Sequence, residues 1–307
     1  MAKFEITILG CGAPNPTMRH MTTCQVVNYA DKLYMLDCGE AAQWSMQKWG
    51  LKFSKLQAIF ISHLHGDHYL GLPGLLSTMA LNGRKDPLAV YATPDAIAFF
   101  KVMMATVCPY PGYEIKYVEV NPNEPQKLIE DKNIVISSFP LYHRLPCVGY
   151  RFDEKPKPLH MRGDRLKELG VPFKEIPNIQ RGADYAKEDG TVIPNSELTT
   201  PADPAFSYAY CSDTAADRRV AEAVKGCTAI YHEATYTDEY NDTAAERGHS
   251  TARQAARIAR EAQCEKVILG HFSAQYLNLS HADHLAQATE EHPGAILADE
   301  GLTIKIS

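Results

Sequence analysis

The chain has 307 residues, of which 45% are hydrophobic and 22% charged, and a formal net charge of -6. That composition is ordinary for a globular chain, argues against disorder, and lets the chain bury a sizeable core as one large domain or two small ones. The negative balance gives no bulk attraction to nucleic acid, so a polyanionic partner has to be held by a local basic patch or by bound cations.

The opening MAKFEITILG alternates apolar and polar residues like a strand and lacks the features of a secretory leader. No apolar run approaches the ~18 residues of a membrane span. The eight cysteines are scattered without a CxxC pair, which predicts reduced, mostly buried thiols in a cytoplasmic protein.

Strands are predicted at residues 3 to 9, twice between 25 and 38, and at 57 to 62, 88 to 92 and 133 to 139. Helical patterns lie between them, after Gly39, Gly71 and Ala92. The theme resumes after Pro204: AFSYAYCS, a helix DRRVAEAV, TAIYHEA, a helix from Ser250 to about Ala262, KVILGH, a helix near 281 to 291, and a closing LTIKI. Alternation of this kind predicts α/β (α+β) layers around a sheet. Residues 151–204 break the rhythm, being rich in Pro and charge with one short amphipathic stretch. They read as a long insertion, and such insertions are usually functional in compact domains.

The densest chemistry is SHLHGDHYLGLPGLL at residues 62 to 76, where His63, His65, Asp67 and His68 fall within six positions. The cluster directly follows the apolar strand AIFIS, so it emerges in a loop at a strand end, and Gly66 is expected to let the backbone turn and aim the side chains into one space. Imidazoles with a carboxylate suit zinc, manganese or iron. Four ligands so close together divide more readily between two ions, which then need further ligands from elsewhere. The rule of a His or Asp just after a strand supplies them: His143 ends NIVISSFPLYH, Asp213 ends SYAYCSD, and His271 ends KVILGH.

HLHGDH resembles the metal-binding signature of the metallo-β-lactamase fold, and the longer string with LPGLL resembles the form found in the ribonuclease Z family. The likeness extends through ILGCGAPNP, YMLDCGEAAQWSM, YCSDT, HEATY, ERGHSTA and LGHFSAQY, so it covers nearly the whole chain. It implies a single domain over 1–307 with a four-layer αββα sandwich, and makes the 151–204 insertion a protruding tRNA-binding arm. It implies two zinc ions per subunit, with manganese as an alternative: His63, His65 and His143 on one, Asp67, His68 and His271 on the other, and Asp213 bridging. The implied activity is endonucleolytic removal of 3′ trailers from precursor tRNA by a homodimer, leaving a tRNA 3′-hydroxyl and a trailer 5′-phosphate. Asp67 would accept a proton from the attacking water or orient it, His249 would act as general acid, and Glu233 would orient the His249 ring.

Other residues read more plainly. His20, His160, His281, His284 and His292 lie outside these motifs and are expected to be solvated or structural, with HADH at 281 to 284 on a solvated helix face. GCG at 10 to 12 lacks the third glycine of a dinucleotide loop and is expected to be a turn near the site. Two departures from the family pattern stand out. The insertion has no Gly-Pro pair, and Met18, His20 and Met21 of PTMRHM replace the Lys, Arg and Asn of a PxKxRN loop. The competing readings are a small-molecule phosphodiesterase or other hydrolase of the same fold, and a non-catalytic RNA-binding protein.

Overall fold

The computed structural model describes residues 3–276 and 280–307. It builds two seven-stranded sheets. The first runs, in spatial order, Thr303–Lys305, Phe4–Gly10, Cys24–Tyr29, Lys32–Leu36, Leu56–Phe60, Leu88–Ala92 and Ile115–Glu119. The second runs Ala295–Leu297, Lys266–Gly270, Ala229–Glu233, Ser207–Cys211, Cys147–Glu154, Ile134–Leu141 and Gln126–Glu130. Four of these strands, Ile115–Glu119, Gln126–Glu130, Cys147–Glu154 and Ala295–Leu297, go beyond the sequence reading. The first two carry few fully buried residues, so they show little of the apolar signal that marks a strand.

Both faces of each sheet are covered. Val26, Met35, Ile59 and Val90 of the first sheet share a core with Ala42 and Met46 of helix Ala42–Lys48, Leu72, Leu75 and Leu76 of helix Leu72–Leu81, and Ile97 and Phe100 of helix Pro94–Val107. On the opposite face Tyr34 and Phe60 meet Tyr150 and Phe152 of the second sheet, with ring centroids 5.0 to 6.0 Å apart. Helices Ala252–Glu261 and Ala282–Glu291 pack on the second sheet's outer side. The result is the expected helix, sheet, sheet, helix order. Its parallel strands are buried and continuous in hydrophobicity, as strands covered on both sides must be.

The chain divides into two compact units: Met1–Ile129, Ile136–Phe152 and Ser207–Ser307 in one, Glu130–Val135 and Asp153–Phe206 in the other. The second is built from helices of four to six residues and two-residue strands. Its core has Ile179, Ile193 and Leu198 buried, with Met161, Leu166, Leu169, Val171 and Tyr185 packed against them.

Gly66 makes the expected turn by opening the short helix Gly66–Tyr69 after His65 with an ordinary right-handed backbone. One expectation needs correction. His281 and His284 are not solvated: both are buried, with ring centroids 4.0 and 5.2 Å from that of Phe272, and Tyr276 lies 4.6 Å from His284. His20 and His292 are buried as well, whereas His160 is exposed.

Candidate metal centre

The side chains gather at the ends of buried strands. Leu56–Phe60 delivers His63 and His65, and helix Gly66–Tyr69 turns Asp67 and His68 inward. Ile134–Leu141 leads to His143, Ser207–Cys211 to Asp213, Ala229–Glu233 ends on Glu233, and Lys266–Gly270 leads to His271. His271 has φ 61° and Asp37 φ 54°, a left-handed backbone that costs a non-glycine residue roughly 1–2 kcal/mol and tends to occur at functional sites.

Two groups of donors face each other. In the first, His63 Nε2 and His143 Nε2 lie 3.0 and 3.2 Å from His65 Nδ1, and Asp213 Oδ2 is 3.5 Å from His63 Nε2 and 3.9 Å from His143 Nε2. In the second, Asp67 Oδ2 is 3.4 Å from His68 Nε2 and 3.3 Å from His271 Nε2, with Asp213 Oδ1 at 3.4 and 3.1 Å from the same nitrogens. One oxygen of Asp213 thus serves each group.

Four of these five rings have their other nitrogen already engaged. His68 Nδ1 donates to Asp37 Oδ2 at 2.7 Å, and His143 Nδ1 donates to the Gly248 carbonyl at 2.8 Å. His63 Nδ1 meets Ser62 Oγ at 3.0 Å, and His271 Nδ1 meets Thr235 Oγ1 at 2.9 Å. Such contacts fix a ring's tautomer and orientation for ligation. Gly248 has φ 71°, and a Cβ there would come within 3.1 Å of His143 Nδ1, so glycine permits that contact.

These residues fit divalent cations on three grounds. Neighbouring donors on a tetrahedral zinc with ~2.0–2.1 Å bonds lie roughly 3.3 Å apart, close to the separations above. His68 Nε2 and Asp213 Oδ1 are buried without a hydrogen-bond partner, a costly state that a cation relieves. The buried carboxylates Asp37, Asp67, Asp213 and Glu233 also call for positive charge. Burial holds His63 down to about 4, with His68 adding to the effect, so its ring is neutral and free to ligate. At His68 burial also acts to lower the pKa, but Asp213, Asp67 and Asp37 outweigh it and raise it well above that of an ordinary histidine.

A second network stands beside the donors. His249 Nδ1 donates to Glu233 Oε1 at 2.9 Å. Glu233 is fully buried and also accepts from the backbone N–H groups of Thr214, Thr235 and Ser250. Burial opposes protonation of His249, yet Glu233 and Asp213 push it up to about 9. Thr251 begins helix Ala252–Glu261 with a capping box to Gln254, so His249 is held just outside the helix. A cavity of about 420 Å³ opens onto His65, Asp67, Asp213, His249 and His271, with Ala13, Pro14, Tyr236 and Arg247 on its walls. Ala13 belongs to the short strand Gly12–Ala13 next to Phe272–Ser273, which gives GCG its place at the cavity's edge.

Sequence reasoning missed Asp37. It is fully buried and accepts hydrogen bonds from Ser62 N, Ser62 Oγ, His68 Nδ1 and Tyr210 OH at 2.6 to 2.9 Å. The signal was present in YMLDCG, where an Asp directly follows a strand.

Comparison with known proteins gives a consistent picture. Residues 4–144 match the family model described as Anti-Pycsar protein Apyc1. The chain is 42% identical over 306 residues to "Ribonuclease Z" of Parabacteroides distasonis, covering all of both chains. It is 43% identical over 306 residues to "Ribonuclease Z" of Bacteroides fragilis, again covering all of both. Among solved structures it is similar to human tRNase Z, short form, with a TM-score of 0.73 at 23% identity over 99% of each chain. It is also similar to the metallo-β-lactamase fold protein YhfI from Bacillus subtilis, with a TM-score of 0.68 at 17% identity over 99% of each chain.

Proposed function

This chain belongs to the ribonuclease Z family and has the metallo-β-lactamase fold, and from that premise we propose a metal-dependent endoribonuclease that removes 3′ trailers from precursor tRNA. The observation that carries this reading is the pair of donor groups sharing Asp213, with His249 beside them in one cavity. We assign two zinc ions, manganese being the alternative, to His63, His65 and His143 and to Asp67, His68 and His271, with Asp213 common to both. When bound, such a pair lowers the pKa of a water and neutralises phosphate oxygens.

The chain's own residues supply the rest. Asp67 accepts a proton from the attacking water or orients it. His249 gives up the proton on Nε2 to the departing ribose 3′ oxygen, and Glu233 holds Nδ1 so that Nε2 meets the substrate. The products are a tRNA 3′-hydroxyl and a trailer 5′-phosphate. The inserted segment 151–204 is the tRNA-binding arm, a role supported by the exposed Arg162, Lys167 and Lys174.

The active form is a homodimer, a reading supported by Phe99 and Val102, which are exposed three residues apart on helix Pro94–Val107. Its place is the cytoplasm, supported by eight cysteines without a disulfide. Among the described residues no helix is long and apolar enough to cross a membrane.

The test is cleavage of end-labelled precursor tRNAs, with and without an encoded CCA, by zinc-loaded protein beside His65→Ala. Cutting next to the discriminator base by the wild type alone is the expected result. Metal-loaded protein that leaves these RNAs intact but hydrolyses a small phosphodiester would replace this reading with the phosphodiesterase one.

A further inference from the structure

Among the described residues, Arg247 is the only lysine or arginine on the walls of the metal-centre cavity. It ends helix Asn241–Arg247, two residues before His249. Its Nη1 donates to Tyr236 OH at 3.0 Å, and no carboxylate pairs with it among the described residues. The arginines that follow are different: Arg253 pairs with Asp238 and Glu290, and Arg257 and Arg260 with Glu291. Tyr236 is buried, and its backbone is tied to the His249 loop by Tyr236 N to Ser250 O and Ala252 N to Tyr236 O. A guanidinium without a carboxylate partner, held by a buried phenol in a cavity whose other titratable groups are the carboxylates of Asp67 and Asp213 and the imidazoles of His65, His249 and His271, is a ready anion contact.

We propose, resting on the tRNA-endonuclease reading, that Arg247 binds the phosphate immediately 5′ of the scissile one, and that Tyr236 positions it. The scissile phosphate itself belongs at the His65, Asp67, Asp213 and His271 end of the cavity. The departing 3′ oxygen lies at His249, so the ribose that carries it lies there too, beside the Tyr236 ring 6.1 Å from that of His249. The next negative group on that side is the 5′-phosphate of the same nucleotide. Arg247 is exposed, so it stands at the cavity's rim, where a neighbouring phosphate passes. The chain's acidic balance makes one correctly placed cation matter more.

The experiment measures steady-state cleavage of precursor tRNA over a range of salt by wild type, Arg247→Ala, Arg247→Lys and Tyr236→Phe, with metal content and thermal midpoint as fold controls. Arg247→Ala should raise KM about 10- to 100-fold, change kcat much less, and reduce the salt slope of kcat/KM by about one phosphate contact. Arg247→Lys should keep most of that slope with an intermediate KM. Tyr236→Phe should raise KM less, and its effect should vanish in the Arg247→Ala background. A precursor with a neutral methylphosphonate 5′ of the scissile linkage should cost the wild type the same factor and cost Arg247→Ala nothing further.

Wild-type KM and salt slope in Arg247→Ala would overturn the proposal while leaving the endonuclease reading intact. So would a methylphosphonate penalty that persists undiminished in the variant, or one that is non-additive only for the linkage 3′ of the scissile bond. If Arg247→Ala does not fold, Arg247→Gln takes its place in the methylphosphonate comparison, since the neutral amide removes the charge while keeping most of the side chain, and the same loss of the penalty is expected. Metal-loaded wild type that leaves all precursor RNAs uncut would remove both readings together.

Discussion

Asp37 accepts five hydrogen bonds at a position closed to solvent, whereas Arg165 of the inserted unit holds Glu168 and Glu197 at 2.6 and 2.7 Å in the open. Both are ion-paired hydrogen-bond networks, yet burial makes them different objects. Around Asp37 every donor sits in low dielectric, where polarity has to be matched group by group. Around Arg165 water competes for each contact, and the pairs contribute little. The same contrast runs through the apolar cores. The first unit buries whole sheets, while the second rests on Ile179, Ile193 and Leu198. The metal centre therefore demands particular atoms, and the inserted unit demands only enough packing to keep a surface in shape.

The sharpest way to break the comparison is at the shared carboxylate. Asp213→Asn should abolish cleavage and lower the metal content, because the amide offers neither the charge nor two equivalent oxygens to the two donor groups; elemental analysis beside the tRNA assay reads both. His249→Ala should retain metal and lose about 10²–10⁴-fold in kcat, the usual weight of a general acid. Normal kcat in that variant would remove His249 from the chemistry. Asp37→Asn acts one step further out. It keeps the shape but turns an N–H group toward donors that need an acceptor, so metal affinity should fall about 10- to 100-fold, measured by competition with a chelator. The matched change in the inserted unit, Ile179→Val, should cost about 1 kcal/mol and show as faster hydrogen exchange within residues 153–206, with metal content untouched.

How much of this the sequence disclosed follows the same line. The rule of a His or Asp after a strand found His143, Asp213 and His271 because strand ends in a covered sheet converge on one edge, and local pattern is enough to locate them. Asp37 in YMLDCG obeys the same rule, but it holds the back of the His68 ring instead of joining a donor group, a role that local pattern does not mark. Other features depend on contacts that the pattern of a single strand or helix does not show. His281 and His284 looked solvated because their helix opens with polar residues, and only the folded chain brings Phe272 and Tyr276 against them. Arg247 reads as an ordinary basic residue at a helix C-terminus, where the dipole favours it; its place in the cavity comes from the turn at Gly248. Strand Cys147–Glu154 runs into what composition marks as an insertion, because Pro and charge begin before the sheet ends.

The smallest expected effect sharpens the contrast from the inserted unit's side. Of its basic residues, Lys155 pairs with Glu130, Lys157 with Glu154 and Arg165 with two glutamates. Arg162, Lys167 and Lys174 form no ion pair among the described residues. If this unit binds tRNA through phosphates, the two classes should behave differently. A cation already neutralised by a carboxylate releases few counterions when RNA arrives, so Arg165→Ala should leave the salt slope of precursor binding unchanged. Lys174→Ala should lower that slope by about one unit and weaken all tRNAs alike. Filter binding across a salt series separates the two. Equal slopes for both variants and the wild type would mean that the arm holds tRNA by shape or stacking, with Phe173, exposed beside Lys174, as the next side chain to remove.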